Sequence, residues 1–297
     1  MSGLYTGAMG ILSNMTRMDV IANNIANAQT KGYKEDETSF RVFDETSMVA
    51  RTFKQKENIG KYQDMVYLDD IKTNFDEGIY QTSNQPLDMA ITDNKESTNK
   101  NFFVVGKNDK QYLTRNGQFT LDGDRHLSTL TGELVMNENN QPITIPQGET
   151  YSVNTDGTIL TDKGSALGKI KTVSVSENNL VFLQKDNASL FSVMSVDEIE
   201  NRFGSINQLV NQYDQNITYQ KLFPTNQTLL NIQNTGSVNI LEAPNGEVHS
   251  YTTENSNVDL SKELVDAMET QRSVGASQKV WQALSELLDK ESNQIGK

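Results

Sequence analysis

The chain has 297 residues, with 26 Lys+Arg against 39 Asp+Glu for a net charge of −13, two histidines and no cysteine. This acidic balance argues against nucleic acid and against anionic membrane surfaces, both of which are bound chiefly through positive charge. The absence of cysteine excludes disulfides, thiolate metal sites and cysteine nucleophiles, and His126 and His249 alone give little material for imidazole ligation or acid–base work.

The length suits about two domains, and the first element is helical. Leu4, Ala8, Ile11, Met15, Met18, Ala22 and Ile25 recur at alternating steps of 4 and 3, a heptad seam over about three repeats. The spacing predicts a helix over residues 3–27 that exits before Gly32. Its back carries Thr6, Gly7, Gly10, Ser13, Asn14, Thr16 and Asn23, with Arg17 and Asp19 the only charges in the first 30 residues. A surface helix keeps a charged, solvated back. This one is expected to pack on both faces, against the C-terminal helix and against neighbouring subunits. Asn23, Asn24 and Asn27 can bond a neighbouring subunit or the fraying helix end, without carrying charge into a crowded core. The N-terminus lacks a basic start followed by an apolar core, so no ordinary secretory signal is expected. No apolar run approaches the ~20 residues that cross a bilayer.

Residues 35–75 are polar, charged and weakly patterned, and are expected to form an extended connector. The next stretch is β-type. Asn108-Asp109, Asn116-Gly117, Asp122-Gly123, Thr131-Gly132 and Asn139-Asn140 break short apolar runs, and Asp156-Gly157 marks a hairpin. Strand-like runs follow at 169–175, 180–183 and 237–241. Between them, a capping box from Ser195 to Glu198 opens a 3.6-period pattern that predicts a helix over 196–213, weakened by Gly204. A second capping box, Ser256 to Asp259, opens a long helix over 258–291. Leu260, Leu264, Ala267, Val274, Trp281 and Leu288 continue a seam there, with Gln271, Gln278 and Ser285 between them.

The fold class is therefore α+β. The two chain ends, 1–34 and 256–297, form a coiled-coil-like helical module; 35–75 is a connector; 76–255 is a mainly-β middle with an insertion at about 195–235. The seam is modest, since alanine and methionine fill much of it, and glycines at 3, 7 and 10 each cost about 1 kcal/mol against alanine. Ends that order only on binding and a two-helix stalk complete in the monomer both fit.

Residues 122–133, DGDRHLSTLTGE, have the length of a calcium loop, with Asp122, Asp124 and Glu133 at ligand positions. Position 6 is Leu127 instead of glycine and the setting is β, so a turn is expected instead. His249 has no nucleophile or carboxylate constellation around it, and Trp281 reads as a packing anchor or subunit contact. Phosphate loops, catalytic carboxylate frames and zinc signatures are missing. The reading is of a protein that is not an enzyme and needs no cofactor or metal.

The segment MDVIANNIANAQTKGYK (18–34) resembles the N-terminal signature of the bacterial flagellar rod, hook and hook-associated axial proteins. SNVDLSKELVDAMETQRSVGASQKV (256–280) is similar to that family's C-terminal signature. FDEGIYQTSNQPLDMAI (75–91) and YLTRNGQFTLDGDRHLSTLTGELVM (112–136) look like the β domain of its rod proteins. The resemblance implies a self-assembling basal-body rod subunit of proximal or distal type, polymerising helically through its terminal helices and transmitting torque to the hook. Its implied partners are itself, other flagellar rod and hook proteins, and the flagellar type III export apparatus. Nucleic acid and direct membrane insertion are not implied. The implied location is extracytoplasmic in the basal body, reached without signal cleavage. TDNKESTNK (92–100) and the 195–235 segment depart from the family pattern, and the latter is expected to decorate the outer surface or meet a lineage-specific partner. A hook or hook-junction protein is the alternative within the family. A secreted β-rich binding protein or adhesin with a helical stalk is the alternative outside it.

Overall fold

The computed structural model describes residues 2–42, 46–52, 55–62, 66–108, 110–148, 150–216, 220, 222–223 and 225–295, and their side chains outside 2–6, 42–69, 288 and 291–295. The chain divides into two units: 1–28, 35–74 and 258–297 form the first, and 29–34 with 75–257 form the second.

The first unit holds α1 (Ser2–Ala26), the strands β1 (Asp36–Val42), β2 (Thr46–Thr52), β3 (Gln55–Tyr62) and β4 (Val66–Thr73), and the long C-terminal helix (Leu260–Ile295). The stretch read as an extended connector is thus mostly strand. β1 pairs antiparallel with β4 from Asp36↔Thr73 to Val42↔Val66, and β2 with β3 from Thr46↔Tyr62 to Thr52↔Gln55. Sequence periodicity missed these ribbons because alternation marks a strand only when one face is apolar, and in DETSFRV and QKENIGKY polar residues are mixed into both faces. The C-terminal helix also starts later than expected. Its cap is Asp259, whose Oδ1 accepts from the backbone N–H of Ser261 and Lys262; Ser256 lies before the helix.

The second unit is built on β7 (Lys100–Lys107), which follows β5 (Tyr80–Thr82) and β6 (Met89–Ile91). On one edge β7 pairs with β8 (Lys110–Thr114). Beyond β8, β9 (Phe119–Leu121), β10 (Leu127–Thr129) and β11 (Leu134–Val135) lead back, and β11 takes the C-terminal half of the other edge of β7. A three-stranded meander, β12 (Tyr151–Val153), β13 (Thr158–Thr161) and β14 (Ala166–Lys169), comes next. Then β15 (Thr172–Val175) pairs with the N-terminal half of β7. β16 (Leu183–Asn187) and β17 (Leu190–Val193) extend the β8 edge. Asn101 to Gly106 are all buried, which suits a strand covered on both faces. Phe102 and Val104 enter one core, and Phe103 and Val105 the other.

The 195–235 segment closes the first of these cores, so it is not a surface decoration. The expected helix over 196–213 is two: α2 (Val196–Phe203) and α3 (Ile206–Gln212), with α4 (Gln227–Thr235) after them. The Ser195–Glu198 capping box is formed. Gly204 takes φ +97°, a region closed to most side chains, and breaks the pattern there. Ile199, Ile206, Leu209, Tyr213, Phe223, Leu229 and Ile232 all bury in the same core as Phe102 and Val104. The 180–183 run is largely a 3₁₀ turn (Glu177–Phe182). The 237–241 run contributes only its last residue to β18 (Leu241–Glu242), which precedes β19 (Val248–Ser250) and β20 (Thr252–Glu254). The Asp156-Gly157 hairpin joins β12 to β13.

Because Leu209 is fully buried in that core, Leu209→Ala is expected to lower stability by about 2–5 kcal/mol. Chemical denaturation of the full chain checks this. A cost under about 0.5 kcal/mol would make the helical segment an appendage after all.

Candidate functional site

The C-terminal helix, α5 (Leu260–Ile295), runs antiparallel to α1 in the first unit. A β-carbon on Gly7 would sit 3.6 Å from Trp281 Cβ, and one on Gly10 3.7 Å from Ser277 Oγ. Further down, Arg17 Nη2 meets Asp266 Oδ1 at 3.2 Å and Asn24 Nδ2 donates to Glu263 Oε1 at 3.2 Å. The steps 7, 10, 17, 24 are helical, so these residues make one stripe. Ser13, Val20 and Ile21 are buried alongside it, as are Glu263 and Thr270 on α5.

This stripe is the small and polar face of α1, not its heptad seam. Ala8, Met15 and Ala22 are exposed, Met15 to 54 %, while Ile11, Met18 and Ile25 are half-buried. On α5, Leu260 and Leu264 are exposed to 44 % and 49 %, Trp281 is 42 % exposed, and Ala267 and Val274 are half-buried. The side chains of Leu4 and Leu288 lie outside those described. Within the chain, then, much of the seam faces solvent. With Leu12, Val265, Met268, Val280 and Leu287, all exposed, it leaves the helix pair with a large apolar surface, the kind that marks an interaction site.

A polar collar ties the base of the pair. Asn24 Nδ2 donates to Asp36 O at 2.9 Å, and Asn24 Oδ1 accepts from Asp36 N at 3.0 Å. One amide thereby clamps the chain where it leaves the helix. Asn27 Nδ2 donates to Asn23 O and Asn23 Oδ1 at 3.0 and 2.8 Å, closing the last turn of α1. Glu35 accepts from Lys262 Nζ at 3.1 Å. Burial, together with a hydrogen bond to Glu35, lifts the Glu263 carboxyl to about 7.

The second unit carries a separate constellation. Glu254 is buried with each carboxylate oxygen on one cation: Lys34 Nζ at 2.7 Å from Oε1 and Arg115 Nε at 2.9 Å from Oε2. Gly78 N–H donates to Oε1, and Arg115 Nη1 meets Asp93 Oδ1 at 2.7 Å. Burial alone would raise the Glu254 carboxyl, but Arg115 and Lys34 outweigh it and hold it below the usual range. Burial pulls the Lys34 ammonium below its ordinary value, with Glu254 opposing. Gly32 makes the approach possible. Its φ is +67°, its N–H bonds Glu254 O, and a β-carbon there would fall 2.3 Å from Asn116 N. Sequence reading did not foresee this knot, whose four charges carry no distinguishing local pattern.

The remaining candidates are local. Asp122, Asp124 and His126 gather at one turn, with His126 Nδ1 3.3 Å from Asp122 Oδ2. Glu133, the last ligand position of the loop, instead bonds Lys107, Thr129 and Thr131. His249 sits on β19, 42 % exposed and 3.8 Å from Glu247. No helix among the described residues is long and apolar enough to cross a membrane.

Three family models match: "Flagella basal body rod protein" over residues 4–34, "Flagellar hook protein FlgE/F/G D1 domain" over 98–161, and "Flagellar basal body rod FlgEFG protein C-terminal" over 249–295. The chain is 28 % identical to the flagellar hook-basal body complex protein FlhO of Bacillus subtilis, over 100 % of this chain and 99 % of the relative. It is 29 % identical to the B. subtilis basal-body rod protein FlgG over 52 % of this chain and 59 % of FlgG. To the hook protein FlgE of Borreliella burgdorferi it is 31 % identical over 43 % of this chain and 28 % of FlgE.

Glu254→Gln is expected to cost about 3–5 kcal/mol, because it leaves two buried cations facing a neutral group; denaturant unfolding checks it. Glu263 titrates oppositely. Its folded value lies above the ordinary 4.5, so the folded state holds the proton longer. That stabilisation is complete below pH 4.5 and lost as the pH rises through about 7. Melts of the helices by circular dichroism should therefore show Glu263→Gln more stable than the native chain by about 1–3 kcal/mol at pH 8 and equal to it at pH 4.

Proposed function

The chain belongs to the flagellar basal-body rod and hook protein family and is a structural subunit of the flagellar axis, and within that family we propose that it is a rod subunit polymerising through its terminal helices. The observation that carries this is the exposed apolar surface on α1 and α5, around Leu12, Met15, Leu264, Val265 and Met268. A repeating contact that does not close on itself turns such a surface into a filament. In the polymer the helices form a coiled-coil-like inner layer, the half-exposed heptad seam is buried between copies, and torque passes through many small contacts.

Relative lengths favour the rod over the hook. The match spans 99 % of FlhO and 59 % of FlgG, but 28 % of the Borreliella hook protein. The role is mechanical and not enzymatic. Export through the flagellar type III apparatus, without signal cleavage, places it outside the cytoplasm. The first unit is the assembly module.

Met15 is more than half exposed, so an aspartate there costs the free subunit little. Met15→Asp is expected to abolish rod assembly and motility while the second unit unfolds at its native midpoint. Basal bodies purified from the variant strain would lack the subunit. A variant that builds a normal rod and swims would remove the helical mechanism.

A further inference from the structure

Among the described residues, four other than glycine hold a positive φ: Asn108, Arg125, Asn140 and Tyr251. Asparagine visits this region at little cost, but a bulky side chain there is strained. Arg125, at +68°, follows the Asp122-Gly123-Asp124 turn, and its side chain accounts for it: Nε donates to Ile145 O and Nη2 to Pro146 O, both at 3.1 Å. Tyr251, at +54°, has no such account. Its carbonyl accepts from Ser83 N–H at 2.7 Å, a bond any residue would make. Its hydroxyl and ring make no hydrogen bond or ring contact among the described residues, and it is 48 % exposed. Asparagine or glycine would hold the same bend with less strain, so the fold itself does not call for tyrosine. A strained residue kept at the surface points to a partner.

The same place gathers Arg125 and Tyr251 around one further side chain. Tyr151 opens β12 and is half-buried. Burial raises its phenol, Arg125 lowers it, and Tyr251 raises it again. β12 and β19 are tied here through Val248 N–H on Thr155 O at 2.8 Å, and β19 leads directly into Tyr251. Two tyrosines and an arginine are the residue types that dominate interface hot spots. The patch is also rich in unused donors. Both hydroxyls and Arg125 Nη1 lack a partner among the described residues, and no carboxylate pairs with Arg125 there. Asp122, in the same turn, spends its Oδ1 on the backbone N–H of Asp124 and His126.

We propose that Tyr251, Tyr151 and Arg125 form a docking patch for a carboxylate-bearing face of a second copy of this chain. Donors without acceptors call for an anion, and a chain with 39 Asp+Glu against 26 Lys+Arg has carboxylates in excess. The net charge of −13 makes copies repel, so a cationic, donor-rich patch is where repulsion turns to attraction. The proposal rests on the polymer reading and deepens it: copies meet through the second unit as well as through the helices.

Two experiments test it. In cells making a tagged and an untagged full-length chain, position 251 of the untagged one carries the photo-reactive p-benzoylphenylalanine. Illumination should give an adduct that contains the tag. An adduct with a different protein or with glycan instead, or no adduct at all, overturns the patch. Purified Tyr251→Asn should melt no lower than the native chain, yet need about tenfold more protein to polymerise; Tyr251→Phe should lie between the two. A lower melting midpoint for Tyr251→Asn means that the ring packs internally, and overturns the patch. Native-like polymerisation by Tyr251→Asn also overturns it, and leaves the rod reading standing if Met15→Asp stays unpolymerised. A native chain that never polymerises removes both.

Discussion

The second unit depends on one carboxylate shared by two cations. Glu254, Lys34 and Arg115 have side chains 0–1 % exposed, and none would be tolerated there alone. Asp93 completes a set with two charges of each sign. The set brings residues from four stretches together, and it needs the backbone to come close enough for donors to reach. That closeness explains Gly32 packed on Arg115 and Asn116, and Gly78 packed on Asn255. Buried ion pairs are seldom the cheapest way to stabilise a core; here the set ties Glu254 at the end of β20 to Lys34 and to Arg115 just after β8.

The first unit obeys a different economy. Its helix pair is joined by glycine, serine, asparagine and one ion pair, with Val20 and Ile21 buried alongside, while most of its leucine and methionine faces outward. In a self-sufficient two-helix stalk the arrangement would be inverted, because apolar burial is the main stabilising term. A subunit so built keeps its hydrophobic gain for contacts it makes with others. The collar of Asn24, Asp36, Lys262 and Glu263 holds the exit of α1 in place meanwhile, using directional bonds that require no apolar area.

Helices with a strong period or a capping box were legible. α1, α5 and the Ser195 cap follow from residue spacing, and the β-rich middle follows from its turn dipeptides. Which face of α1 packs on α5 was not legible, since a heptad ranks residues by apolarity and cannot tell an inner partner from an outer one. The ribbons at 36–73 were hidden because polar residues are mixed into both faces. The helical lid over Phe102 and Val104 looked like an insertion because it departs from the family pattern, although Ile199, Leu209 and Leu229 are spaced as core residues are. The Glu254 knot had no sequence signal, as its members lie up to 220 positions apart.

That separation has a temporal consequence. Lys34 is among the first residues made and Glu254 among the later ones, and closing so long a loop is slow because its entropy must be spent before the contact returns anything. Until Glu254 arrives, Lys34 and Arg115 remain solvated and Gly78 has no Asn255 to close upon. The second unit is therefore unable to finish folding on a partial chain. A molecule threaded end-first through a narrow channel would travel with this lock open and shut it only at the destination.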